Sequence, residues 1–245
     1  MKPLVILALS LILTACSSTA SYDTNTPEGA FQLGEKFQKS SRFEEALAQF
    51  NRVKNKFPYS KLATEAKIKI ADIHYEREEY PEAQAAYQIF KELHPNHPKA
   101  DYATYQLAMS YFKQLPASID RDLSLAERTI VYFDEVLTTY PNSEYAEKAK
   151  KGKRDTLEML ADKEFYIANF YYIRDHYEAA LGRFEVLLKK YPGLGHDREA
   201  LYKATDSAYQ IKEFPKAKKF YEYLVQNYGD SDEAQKAKRD FDGKL

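Results

Sequence analysis

Leu33–Pro58, LGEKFQKSSRFEEALAQFNRVKNKFP, holds seven residues whose spacing decides how the rest of the chain is read: Leu33, Gly34 and Phe37, then Ala46, Phe50, Val53 and Pro58. Apolar residues recurring at three- and four-residue steps mark amphipathic helices, and the small residues leave room for two of them to approach. The intervals return downstream. Ile70, Ala71, His74, Ala83, Tyr87, Phe90 and Pro95 keep each of them, as do Ile167, Ala168, Tyr171, Ala180, Phe184, Leu187 and Pro192. A last copy runs Ala204, Thr205, Ala208, Ala217, Tyr221, Leu224, with Gly229 in place of the proline.

This is the tetratricopeptide pattern, one helix pair per repeat. The third copy is stretched: Leu107, Ala108 and Tyr111 open it, Thr129, Phe133, Val136 and Pro141 close it, and nine extra residues around QLPASIDRDL widen its turn. Repeat ends at 58, 95, 141, 192 and 229 lie 37, 46, 51 and 37 residues apart. The excess before 192 contains no proline, so the spacing predicts one long helix from about Ser143 to Arg174. The expected fold is all-α: five repeats, about ten helices, stacked as a superhelical solenoid because no single repeat buries its apolar face alone. Its N-terminal repeats span about 27–141 and its C-terminal repeats about 142–245.

Ahead of the repeats, Lys2 and the apolar run LVILALSLIL (4–13) form a signal peptide, too short at ten residues to cross a bilayer. The run ends in Leu13-Thr14-Ala15-Cys16, which resembles a bacterial lipobox: residues 1–15 are expected to be removed and Cys16, the only cysteine, to carry acyl chains. Residues 16–26 then serve as a polar tether. With Ser17 after the cysteine, the resemblance to Gram-negative lipoproteins implies the inner leaflet of the outer membrane, with the chain facing the periplasm.

A formal charge of −1 lacks the basic excess of a general nucleic-acid binder. No string for nucleophilic, phosphate-binding or zinc chemistry occurs, and His94 and His97 have no cysteine near them. No enzyme, no metal and no cofactor are therefore expected, apart from the lipid on Cys16. The basic run Lys148, Lys150, Lys151, Lys153 and Arg154 reads as a solvated face, and Asp122 as the residue that opens the following helix.

The first helix of each repeat is expected to line the concave side. Counted in the repeat frame, Phe31, Ile68, Tyr105, Phe165 and Tyr202 form one row, and Gln38, Tyr75, Phe112, Tyr172 and Tyr209 a second. Glu35, Asp72, Met109, Asn169 and Asp206 fall between them. Two readings compete: packing between repeats, or a trough for an extended segment rich in aromatic side chains.

Lipobox, tether, five repeats, an enlarged third repeat with Asp120-Arg121-Asp122, then YPNSEYA (140–146), a long helix and FYYIRDHYEAALGRFEVLLKKYP (170–192) together resemble the BamD family of outer-membrane β-barrel assembly lipoproteins. The resemblance covers nearly the whole chain. It implies a scaffold that receives unfolded barrel precursors on its N-terminal repeats, docks on the barrel-forming subunit through its C-terminal repeats, and has sister lipoproteins as further companions. Precursor binding would fall on Phe31, Glu35, Ile68, Asp72 and Tyr75, extending to Tyr105 and Phe112. Docking would fall on Asp120, Arg121 and Asp122 and on Tyr202, Asp206 and Tyr209. The competing class is another tetratricopeptide lipoprotein, serving a pilus secretin or organising cell-wall enzymes.

Overall fold

The computed structural model describes residues 22–245, so the signal peptide and Cys16 lie outside the described residues. The described chain is helical, with eleven helices in order: α1 (Pro27–Lys39), α2 (Phe43–Lys56), α3 (Lys61–Glu76), α4 (Tyr80–Leu93), α5 (Ala100–Phe112), α6 (Ala126–Thr139), α7 (Ala146–Tyr172), α8 (Tyr177–Lys190), α9 (Asp197–Gln210), α10 (Phe214–Asn227) and α11 (Asp232–Phe241). It divides into two compact units between Ile73 and His74.

The first unit starts at a capped helix. Thr26 Oγ1 accepts the Gly29 amide hydrogen at 3.1 Å, and Pro27 occupies the first helical turn, where no amide partner is needed. Ala30, Phe31, Ala46, Phe50, Val53, Ala66 and Ile73 make one buried cluster. Gly34 has a packing reason: a β-carbon there would come within 2.9 Å of the Phe50 ring.

In the second unit consecutive helices from α4 to α11 pack on one another as hairpins. The tight turns share one backbone solution. Glu78, Asp175 and Lys212 adopt left-handed φ of 60°, 60° and 64°, and in the first unit Ser41 does the same at 56°. The residue after each of them bonds back across the turn, Glu79 N to His74 O, His176 N to Tyr171 O and Glu213 N to Ala208 O, satisfying carbonyls at the helix end. An aromatic pair then closes each of these three turns edge to face: Tyr75–Tyr80, Tyr172–Tyr177 and Tyr209–Phe214, at 5.5, 5.9 and 5.5 Å.

Between α5 and α6 this tight turn is replaced by the expected long connection. Leu123 is buried in it, and Lys163 Nζ donates to Arg121 O at 2.7 Å, holding the loop to α7. Asp122 does not cap α6: its carboxylate accepts from Ser124 N and Oγ at 3.0 and 2.7 Å, while Leu125 stands at the cap without a side-chain bond.

The long helix is α7, of 27 residues and so about 40 Å. It ends two or three residues inside the expected limits. Its N-terminal half packs on α6 through Ala149 and Gly152, which sits against the Phe133 ring; its C-terminal half packs with α8 and α9 through Ala161 and Ala168. The basic run near its start is the solvated face expected, with Lys148, Lys150, Lys151 and Arg154 exposed, and several of its members are also paired. Lys153 reaches Asp134 at 2.6 Å, Lys151 and Arg154 pair with Asp155 and Glu158, and Lys148 lies 5.3 Å from the Tyr145 ring centroid.

The eleventh helix was not expected. In the charged C-terminal tail, Ser231 caps α11 by accepting from Ala234 N, and Ala234, Ala237 and Phe241 occur at helical spacing on one face. That face is buried with Leu201, Tyr202 and Leu224, so α11 closes the open end of the last hairpin.

Candidate protein-binding site

In the first unit, Phe31 is buried edge to face with Phe50 at 5.3 Å, and Ile68 is buried too. At these two positions the packing reading holds. Glu35 is half-buried, 3.8 Å from Lys69 Nζ, and Asp72 is half-buried as well.

In the second unit the rings form a partly covered seam. Tyr105 stacks on Tyr145 at 5.1 Å, Phe112 meets Phe133 at 6.1 Å, and Phe165 stacks on His196 at 4.3 Å. Tyr75 is half-buried, and desolvation pushes its phenol up to about 12. Polar rungs tie the first helices of successive repeats together. Tyr172 donates to Asp206 at 2.6 Å, Lys203 to Asn169 at 2.5 Å, Ser143 to Asp101 at 2.6 Å, and His196 pairs with Asp162 at 2.6 Å. Burial, then the bond to Asp206, drives the Tyr172 phenol far above its usual range.

The C-terminal docking residues need correction. Tyr202 is 8 % exposed, its ring faces Phe241 and its hydroxyl donates to Asp240 at 2.8 Å. Tyr209 lies between Phe214 and Phe241, and Asp206 accepts from both Tyr172 and Gln210. The chain's own α11 covers Tyr202 and one side of Tyr209, while Asp206 is half-buried and engaged from α7. By contrast Asp120, Arg121 and Asp122 are all exposed on the long loop. Hydrogen bonds from Ser118 and Ser124 hold the Asp120 and Asp122 carboxyls below the usual range, with Lys163 adding to the effect.

The family described as YfiO outer membrane lipoprotein matches residues 23–202. The chain belongs to the YfiO outer membrane lipoprotein family. A tetratricopeptide repeat family also matches residues 199–231. Three curated relatives of this YfiO-family chain bear the name outer membrane protein assembly factor BamD. The Caulobacter vibrioides protein is 28 % identical, with 84 % of this chain and 70 % of the relative covered. The Rickettsia prowazekii protein is 28 % identical over 92 % and 90 %, and the Neisseria meningitidis serogroup A protein 26 % identical over 82 % and 81 %.

One surface of this YfiO-family chain escaped the sequence reading. Tyr166 and Phe170 on α7 and Ile173 just past its end, at steps of four and three, are all exposed, Phe170 by 42 %. In the repeat frame Phe170 corresponds to Ser110 on α5 and Ser207 on α9, both fully buried. The difference follows from the length of α7: α6 covers only its N-terminal half, leaving an apolar ledge on the C-terminal half. Arg174 lies over the Phe170 ring at 3.7 Å. The available signal was that Tyr166 and Ile173 are large and apolar where the corresponding positions of the other repeats hold Gln, Lys or Glu.

Proposed function

We propose that the chain is a lipid-anchored outer-membrane protein assembly factor, facing the periplasm and acting as a scaffold without bond-making chemistry. The observation that carries this reading is the family match across residues 23–202, joined by relatives named as outer membrane protein assembly factors along most of their length. Acylation of Cys16 would hold it at the membrane, since several acyl chains together give firm anchoring.

Two surfaces divide the work in this proposal. Unfolded barrel precursors bind on the second unit where rings are half-covered and still accessible, at Tyr75, Tyr105 and Phe112; the first unit by itself offers them Glu35 and Asp72, with Phe31 and Ile68 supporting its helices. Half-buried aromatic rings offer contact area at small entropic cost, which suits a strand with alternating aromatic side chains. The barrel-forming subunit docks on the Asp120–Asp122 loop and the neighbouring α7 ledge. Exposed apolar side chains with Arg174 over the Phe170 ring suit a partner carrying both apolar and acidic groups.

Site-specific photo-crosslinking tests the division. A photoreactive side chain at position 112 is expected to capture barrel precursors, and one at position 170 the barrel-forming subunit. Capture of the same partner from both positions, or of neither, overturns the proposal.

A further inference from the structure

Between Ala46 and Thr64 the first unit carries four cations, Arg52, Lys54, Lys56 and Lys61, and no acid. The corresponding stretch of each other repeat contains Asp or Glu. None of these four makes an ion pair among the described residues, whereas Lys69 pairs with Glu35 and Lys153 with Asp134. In their midst Tyr59 is 101 % exposed. It follows Pro58 in the turn between α2 and α3, where the corresponding turns place Asn96, Asn142 and Gly193 after their prolines. A tyrosine ring wholly in water contributes nothing to packing, so its place at this turn points outward.

The same corner is where the chain arrives from its N-terminus. Asn25 Oδ1 accepts from Arg52 Nη2 at 3.1 Å and from Lys56 Nζ at 3.4 Å, pinning the start of the described chain to the last turn of α2. Eight residues lie between Cys16 and Asn25, a reach of at most about 30 Å when fully extended. A short tether gives whatever it connects a high effective concentration. Lysines and arginines close to an anionic surface are attracted within a Debye length, about 8 Å at physiological salt, and tyrosine favours the bilayer interface.

We infer that the corner formed by Arg52, Lys54, Lys56, Tyr59 and Lys61 is a membrane-contact surface that binds anionic phospholipid headgroups of the bilayer in which the chain is anchored. The inference rests on the anchoring reading for Cys16. It assigns the tethered end of the scaffold an orientation, with this turn against the headgroups.

The test separates headgroup binding from acylation. A form beginning at Ser17 keeps every described residue and lacks the acyl attachment point. Mixed with vesicles of phosphatidylcholine, with or without phosphatidylglycerol, it is expected to co-sediment with the anionic vesicles only, and less as salt rises. Lys54→Glu with Lys61→Glu and Tyr59→Ser is expected to lower that partitioning roughly tenfold, with circular dichroism and melting unchanged. Equal binding to both kinds of vesicle, no binding to either, or an unchanged triple variant overturns the inference; the second result would leave the corner to an acidic protein surface. Envelope fractionation of the acylated protein and of its Cys16→Ala variant reports on the anchor alone. Cys16→Ala pelleting with outer membranes in high salt defeats the anchoring reading whatever the vesicles report.

Discussion

The Tyr202 hydroxyl on α9 donates to Asp240 on α11 at 2.8 Å, and the Tyr202 ring faces Phe241 one residue further on. A tyrosine that looks available in the repeat frame is thereby turned into the foundation of a closing helix. Burial and the Asp240 carboxylate push its phenol well above the ordinary range.

Loss of this closure is expected to be costly. Phe241→Ala removes a buried ring from the cluster with Leu201, Tyr202 and Leu224, and is expected to destabilise the second unit by about 3 kcal/mol. Urea denaturation of the full chain measures it. A cost below about 1 kcal/mol would mean that α11 is only loosely held.

Gly34→Ala sets two effects against each other. Alanine is the better helix former by about 1 kcal/mol. Its methyl group, however, would stand 2.9 Å from the Phe50 ring, which is fully buried and cannot swing away. Overpacking typically costs about 1–3 kcal/mol and is expected to win, leaving the variant less stable than the parent. A gain in stability would show that α1 and α2 can separate at no cost.

Lys212 holds a φ of 64°, a conformation that costs an L side chain about 1–2 kcal/mol and glycine almost none. Part of that gain is lost to the greater freedom of glycine when unfolded. Lys212→Gly is expected to raise stability by about 0.5–1 kcal/mol net, seen as a melting temperature a few degrees higher. A lower melting temperature would mean that the Lys212 side chain makes a compensating contact.

Alkaline pH is expected to weaken the fold before it affects isolated helices. Tyr75, Tyr172 and Tyr202 all have phenols raised in the folded state, chiefly by burial. A raised folded value means that the stability is fully present below the unfolded tyrosine value near 10 and falls as pH climbs above it, because only the unfolded chain then loses those protons. Phenolate absorbance followed together with helical ellipticity should rise in one step with unfolding. Tyr172→Phe is expected to make the decline shallower. Early titration of these tyrosines with the helices intact would contradict their burial.

The repeat frame was legible because it is written in residues that point into the interior. Ala46, Phe50 and Val53, or Ala180, Phe184 and Leu187, are buried as their spacing demands, and the stretch without proline became α7. What the frame could not say is what lies opposite each side chain. Tyr202 and Tyr105 hold the same frame position, yet one is sealed under α11 and the other is half-open beside Tyr145. Ser110 and Phe170 also share a position, and the small residue is the buried one. In α11 only Ala234, Ala237 and Phe241 carry the apolar signal, and the charged residues around them masked it.

The sequence by itself therefore determined the helices, the repeat boundaries, the long connection in the third repeat and the family, since all of these depend on local spacing and on residue types counted along the chain. Only the tertiary structure decided which aromatic rings are accessible, which carboxylates are engaged and that an eleventh helix covers the last repeat. The physical reason is distance along the chain. Exposure is set by a neighbour more than thirty residues away, as Asp206 is for Tyr172 and Asp240 for Tyr202, and no local pattern records which neighbour arrives.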